Sequence, residues 1–200
     1  MIKISEIILG IFLLSLITFN VKADTFETKL GTYSLFDSLL NNFSEEKITT
    51  QVKRNLDFYE SYGSDTSFVE IFFKNNDYMW YDYRSFNVKP DDPNFIIHGL
   101  GGIKTYQDEF DKCLWMFDFE TLHLAKYSDL EKIDTYEGSH PFDPSGKSFI
   151  KQSFYKNKDG INIEISCSDF DPSVQSENDN PDFFGFYIYT DEISNWQLAE

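Results

Sequence analysis

The chain has 200 residues, with 34 acidic against 17 basic side chains, a formal net charge of −17 and an aromatic content of 18%. A surface this acidic repels nucleic acid and anionic lipid and steers cationic partners or metal ions instead, although acids in such number also serve simply to keep a small exported domain soluble. The length suits a single core, so one domain is the expectation.

The N-terminus reads as a signal peptide. Lys3 opens a short basic region, Ile7 to Phe19 is almost wholly apolar, and Val21-Lys22-Ala23 places small residues where signal peptidase needs them. That run is too short to cross a bilayer comfortably. Cleavage is therefore expected between Ala23 and Asp24, leaving residues 24–200 as one α+β domain, periplasmic or secreted and not inserted in a membrane. The alternative is an uncleaved anchor, because Glu6 sits close to the apolar run. Lys3, Lys22 and Glu6 leave with the peptide, so the charge of −17 becomes −18. No later stretch is apolar for long enough to span.

In the mature chain, Asp24 to Leu30 suggests a short opening strand that Gly31 breaks. Ser34 followed by Asp37 is a capping pattern for a helix over 35–42, and Ser44-Glu45-Glu46 starts a second short helical turn that Thr49-Thr50 lets lapse. Residues 52–64 fit neither period. From Phe68 to Lys74 the alternation is plain, Asn75-Asn76-Asp77 supplies turn chemistry, and Tyr78 to Phe86 returns as the partner strand of a hairpin. A third strand runs from Phe95 to Leu100, where the cluster Gly99, Gly101 and Gly102 suggests a bulge or the close approach of another backbone.

Tyr106 to Lys126 is the strongest amphipathic helix. Phe110, Cys113, Leu114, Phe117, Thr121 and Leu124 recur at three-and-four spacing, while Asp108, Glu109, Asp111, Asp118 and Glu120 mostly avoid that face. Residues 128–140 are charged and turn-rich, with a short helix near Leu130, and 141–146 read as loop. Strands over 148–155 and 161–167, joined by Asn157-Lys158-Asp159-Gly160, form a second hairpin. Asp169 to Asp182 is an acidic loop, 183–189 a last strand, and Asp191 to Glu200 a short helical tail held by Trp196. The predicted architecture is an antiparallel sheet, or sheets, built from two hairpin-containing strand sets packed on the central helix.

The two cysteines of an exported chain are most simply one disulfide, Cys113–Cys167. Cys167 alternates in phase with Ile161, Ile163 and Ile165, so the bridge would join the apolar side of the helix to the isoleucine face of a strand. A catalytic thiol or a metal site would call for a CxxC pair or clustered histidines, and neither occurs.

Other motifs are weak. Ser145-Gly146-Lys147-Ser148 resembles the end of a phosphate-binding loop, but the first glycine would fall at Pro141 and a strand, not a helix, should follow. The acidic loop offers Asp169, Asp171 and Glu177 as candidate calcium ligands, yet Val174 stands where the loop needs glycine and Asn180 where it needs glutamate. His98, His123 and His140 are scattered, which argues against zinc, and no GxSxG elbow exists. No catalytic residue and no cofactor emerge. Tyr78, Trp80, Tyr81 and Tyr83, beside Phe72 and Phe73, make an aromatic hairpin with rings on both faces, one of them free for a sugar, peptide or protein contact unless the sheet is covered on both sides.

The order of these pieces resembles a family of small exported one-disulfide proteins of AT-rich Gram-negative bacteria. Leu30-Gly31 before Ser34 to Phe43, Phe95-Ile96-Ile97 to Gly102 leading into Asp111-Lys112-Cys113, the segment His140 to Ser148, and the closing strand before Trp196 carry the likeness. It implies export and supplies no catalytic residue. The functional expectation is thus a non-enzymatic periplasmic binding or interaction module with a protein or envelope partner. The alternatives are a hydrolase with a carboxylate-based or calcium-assisted site near Asp169 to Asp182, and an accessory subunit of an envelope complex.

Overall fold

A computed structural model describes residues 24–75, 80–106, 109–178 and 181–198. The segment expected to be a signal peptide, with Ala23, lies outside them, as do Tyr78 and Met79 of the aromatic hairpin.

The N-terminal segment makes a two-residue hairpin, β1 (Lys29–Leu30) with β2 (Tyr33–Ser34), turning at Gly31, whose φ of 68° lies in the left-handed region. The helix expected over 35–42 shrinks to one 3-10 turn, Leu39–Asn41, capped by Ser38. Its backbone is bonded elsewhere: Phe36 N–H donates to Ile97 O, Leu39 N–H to Phe95 O, and Ile97 N–H to Asp37 O. Tertiary hydrogen bonds displaced the local helical ones.

The short turn expected after Ser44 is instead the longest helix among the described residues, α1 (Glu45–Tyr62). Ser44 Oγ accepts from Lys47 N–H, and Gly63 ends the helix in a left-handed conformation at φ 71°. Thr49-Thr50 does not stop it; the Thr50 hydroxyl donates back to Glu46 O within the continuing helix. The missed signal was Ile48, Val52, Leu56 and Tyr59, a stripe at helical spacing that packs on the core.

Strands β3 (Val69–Lys74), β4 (Tyr83–Val88), β5 (Gly99–Tyr106), β6 (Leu130–Ser139), β7 (Phe149–Asn157), β8 (Ile161–Asp169) and β9 (Asp182–Thr190) form one antiparallel sheet in the order β3-β4-β5-β9-β8-β7-β6. Both expected hairpins are present, β3–β4 and β7–β8. In the second, Asn157 Oδ1 accepts from Asp159 and Ile161 N–H and Gly160 takes φ 78°. The region expected to be turns and a short helix, 128–140, is the edge strand β6. Both its faces are exposed, Ile133 and Tyr136 included, so it carries no buried apolar alternation to read.

Helix α2 (Phe110–Leu124) lies on β8, β9 and β5, with Cys113, Met116, Phe117 and Leu124 buried. The Cys113–Cys167 disulfide joins it to β8 across 54 positions of sequence. The register places Val69, Ile71, Phe86, Val88, Leu100, Phe186, Ile188, Ile163, Ile165 and Cys167 on that same face, where they form the main core. Two short helices complete the described chain: α3 (Pro172–Asn178), inside the segment expected to be loop, and α4 (Asp191–Leu198). Helix α4 closes one end of the opposite face through Phe68, Tyr189, Ile193 and Trp196, whose indole N–H donates to Asp65 O.

β5 is regular, not bulged; Gly101 and Gly102 make room for rings and Gly99 for the Asn87 side chain, none of them for backbone. A Cβ on Gly102 would come within 2.7 Å of the Tyr81 ring on the helix side. On the other side, one on Gly101 would meet the Tyr187 ring at 2.5 Å.

Candidate functional site

The disulfide stands where the spacing put it; the other sequence candidates serve the fold. Asp171 begins α3, with Oδ1 accepting from Ser173 N–H (3.0 Å), and the hydrogen bonds from Ser173 hold its carboxyl below the usual range. Buried Asp182 accepts from Phe170 N–H and from Gln175 Nε2, both at 2.8 Å. Burial raises the Asp169 carboxyl, with Asp182 adding to the effect. Glu177 lies in α3, and its side chain is outside the described residues. Among the described residues no group of three or more His, Cys, Asp or Glu could hold a metal ion. Asp171 and Asp182 thus turn their carboxylates onto the segment's own backbone.

Ser145 to Ser148 likewise belongs to a turn built on Asp143. This carboxylate is 4% exposed and accepts from the N–H groups of Ser145, Lys147 and Ser148 and from Ser148 Oγ. Hydrogen bonds from Ser145 and Ser148 hold it well below the usual carboxylate range. Buried His140 accepts from Phe142 N–H through Nδ1 at 3.2 Å, and His98 lies 3.3 Å from Glu192. The three histidines are indeed far apart in role.

What the fold does assemble is a cleft of about 1160 Å³ between the N-terminal segment and the second half of α2. The N-terminal side is fastened across the helix end: Phe26 N–H donates to the Asp129 carboxylate (3.0 Å), Ser128 N–H to Asp24 O, and the Phe26 ring stands edge-on to Tyr127 at 5.3 Å. Asp24, expected to be the first mature residue, thereby becomes a wall residue of the cleft. Phe186 of β9 and the Tyr81 ring also line it. Tyr81 lies on Gly102, is stacked with Phe184, and carries the Arg84 guanidinium 4.7 Å from its centroid.

Helix α2 contributes Glu120, Leu122 and His123 to the cleft. The Glu120 side chain is only 14% exposed, and burial raises its carboxyl while the hydrogen bond and charge of His123 pull it back. Glu120 Oε2 lies 3.3 Å from His123 Nδ1, and His123 Nε2 lies 3.2 Å from the Tyr127 hydroxyl. With its proton on Nδ1, the imidazole donates to Glu120 and accepts from Tyr127, which fixes a three-member relay along one side of the helix end. That contact uses one carboxylate oxygen and leaves Oε1 out of the relay.

At the rim, three rings stand in a column. Trp80 and Phe119 are parallel within 11° at 6.1 Å, and Phe119 and Trp115 within 18° at 5.6 Å. All three are exposed, by 48%, 44% and 58% in that order along the column from Trp80 to Trp115, and Leu122 beside them by 71%. The outward side of this helix thus carries large apolar residues as well as its buried side. Their run, Trp115, Phe119 and Leu122 at four-and-three spacing, was the available signal. A smaller cavity of about 550 Å³ lies beyond Trp80 and Tyr81, where Asp82 binds Lys104 Nζ (2.8 Å) and both N–H and hydroxyl of Thr105.

A second polar feature lies on the sheet face away from α2. The register sets Phe72, Ser85, Gly101, Tyr187 and Glu164 side by side across five strands, with Glu70 one row away. Burial pushes the Glu70 carboxyl up to about 7, with the Ser85 hydroxyl drawing it down and Glu164 adding to the rise. Burial also raises Glu164, against a 2.8 Å hydrogen bond from Gln152.

No protein-family model matches this chain, and comparison with curated proteins and with solved structures returned no match, so the role of each site residue rests on its geometry.

Proposed function

We propose that this is an exported, non-enzymatic binding module that seats a segment of a protein or envelope partner in the cleft between the N-terminal segment and α2. The observation that carries this reading is the exposed column Trp80, Phe119 and Trp115, which continues into a cleft holding a largely buried carboxylate. Large apolar side chains on an otherwise acidic surface reduce solubility unless something covers them. Export is supported by the apolar run Ile7 to Phe19 before Val21-Lys22-Ala23 and by the disulfide. An accessory subunit of an envelope complex would use the same surface.

The test is a comparison. Wild-type protein and the variants W115A and F119A are used to capture partners from envelope extract. The module reading expects one stoichiometric partner retained by the wild type and lost with either variant, at unchanged melting temperature. Equal capture by all three proteins would refute it.

A second reading, a carboxylate-based or calcium-assisted hydrolase, is favoured by one observation, the raised carboxyl of Asp169 next to Asp182. Its calcium-assisted form requires the melting temperature to climb when calcium is added. An unchanged melt would remove the calcium-assisted form.

A further inference from the structure

Within the module reading above, on which this step rests, we infer that the cleft takes a cation: the guanidinium or ammonium group of a basic peptide segment, with Glu120 as its counter-charge and aromatic rings as its walls. The chemistry of the cleft is that of a site for a charged group with an apolar collar. Phe26, Trp80, Tyr81, Phe119 and Tyr127 supply ring faces and edges around Glu120. Three carboxylates, Asp24, Glu27 and Glu120, line the cleft with Lys29, Lys126 and His123; Lys29 is paired with Glu27 and the His123 imidazole with Glu120, and cleavage before Asp24 would add its α-ammonium to the wall.

The floor of the cleft shows the preference at work. The Tyr81 ring holds the Arg84 guanidinium at 4.7 Å, so the same ring system already accepts a planar cation from within the chain. A neutral sugar would gain the ring contacts but would add no charge beside Glu120, whose Oε2 is held by the His123 imidazole and whose Oε1 lies outside that contact. A cation gains both, and the net charge of −17 draws it in from a distance. From Glu120 the column Phe119, Trp115 runs back along the outer side of α2, which suits apolar residues flanking the basic one.

The probe is a tryptophan-free pentapeptide, blocked at both ends, Gly-Leu-Arg-Leu-Gly, titrated into the full chain at 150 mM salt. Its partners are the same peptide with Gln in place of Arg and a chito-oligosaccharide. Tryptophan emission reports binding, since Trp80 and Trp115 are at the site and the remaining one, Trp196, is buried in the second core; the variant W196F removes its background. The Arg peptide should bind at least tenfold more tightly than the Gln peptide, and E120Q should erase most of that difference. E120D, which keeps the charge, should restore part of it and guards against a folding artefact. Equal binding of the two peptides, tighter binding of the saccharide, or no binding of the Arg peptide would overturn the cation assignment. Continued loss of partner capture in W115A would then leave the module reading standing, so the two failures are distinguishable.

Discussion

Buried ionisable side chains set how this fold responds to pH. The Glu70 carboxyl, pushed up to about 7 by burial, keeps its proton where the unfolded chain has already released it. Between the ordinary carboxylate range and about pH 7 the folded state therefore binds more protons, and stability falls as pH rises through that window. Above it the loss is complete and constant. E70Q should flatten this part of the stability profile and be more stable than wild type at pH 8, by roughly 1–3 kcal/mol once partial exposure is allowed for. Parallel profiles for the two proteins from pH 5 to 8 would contradict the assignment.

The glycines of β5 act at the same scale. G101A places a Cβ within 2.5 Å of the Tyr187 ring and 2.4 Å of Ser85 Oγ, both of which sit in a packed row. The expected cost is about 1–3 kcal/mol, read as a lower denaturant midpoint with unchanged slope. The sequence marked this stretch as unusual but not why: it shows that room is needed, and only the register shows that a tyrosine uses it.

Among the elements, α2 was legible because its buried residues repeat at helical spacing and one of them is a cysteine. Both hairpins were legible because alternation and turn chemistry agree there. The disulfide ties the two kinds of element together. On a chain-entropy basis, closing a 54-residue separation stabilises by about 4 kcal/mol. Reduction, or C113S with C167S, should then lower the melting temperature by about 10 °C. A melt indifferent to reductant would show that the helix holds to β8 by packing alone.

The elements that were misread failed for identifiable reasons. Residues 35–42 carry a capping pattern, but their backbone groups bond to residues 95–97. α1 was cut short at two threonines, which are weak helix formers, although the stripe Ile48, Val52, Leu56 and Tyr59 continues past them. β6 has solvent on both its faces, so nothing in its side chains announces a strand.

At the scale of the molecule, β9 decides the architecture. It pairs with β5 on one side and β8 on the other, and so joins β3-β4-β5 to β8-β7-β6 as one sheet. Each set alone would present an open edge of apolar strand. A chain ending at Pro181 should therefore lose its cooperative melt and its near-ultraviolet circular dichroism. Retention of both would mean that the two sets are stable separately.

The candidate cleft also exists only at this scale. Asp24 to Leu30, Trp80 and Tyr81, Glu120 to Tyr127, and Phe186 come from four distant parts of the chain. None of them forms a motif by spacing, and in the acidic segment that looked more promising in sequence Asp171 and Asp182 are spent on hydrogen bonds that hold its own turns.

The sequence by itself determined the properties that depend on near neighbours along the chain: the acidic balance, the expectation of export, the amphipathic helix, two hairpins and the pairing of two cysteines. Periodicity and turn chemistry are local, so they can be read before folding. Strand order, the rings lying on Gly101 and Gly102, the raised carboxyls of Glu70 and Glu120, and the cleft were decided by the tertiary structure. Each depends on burial and on contacts between residues far apart in the chain, and those arise only once β9 has closed the sheet.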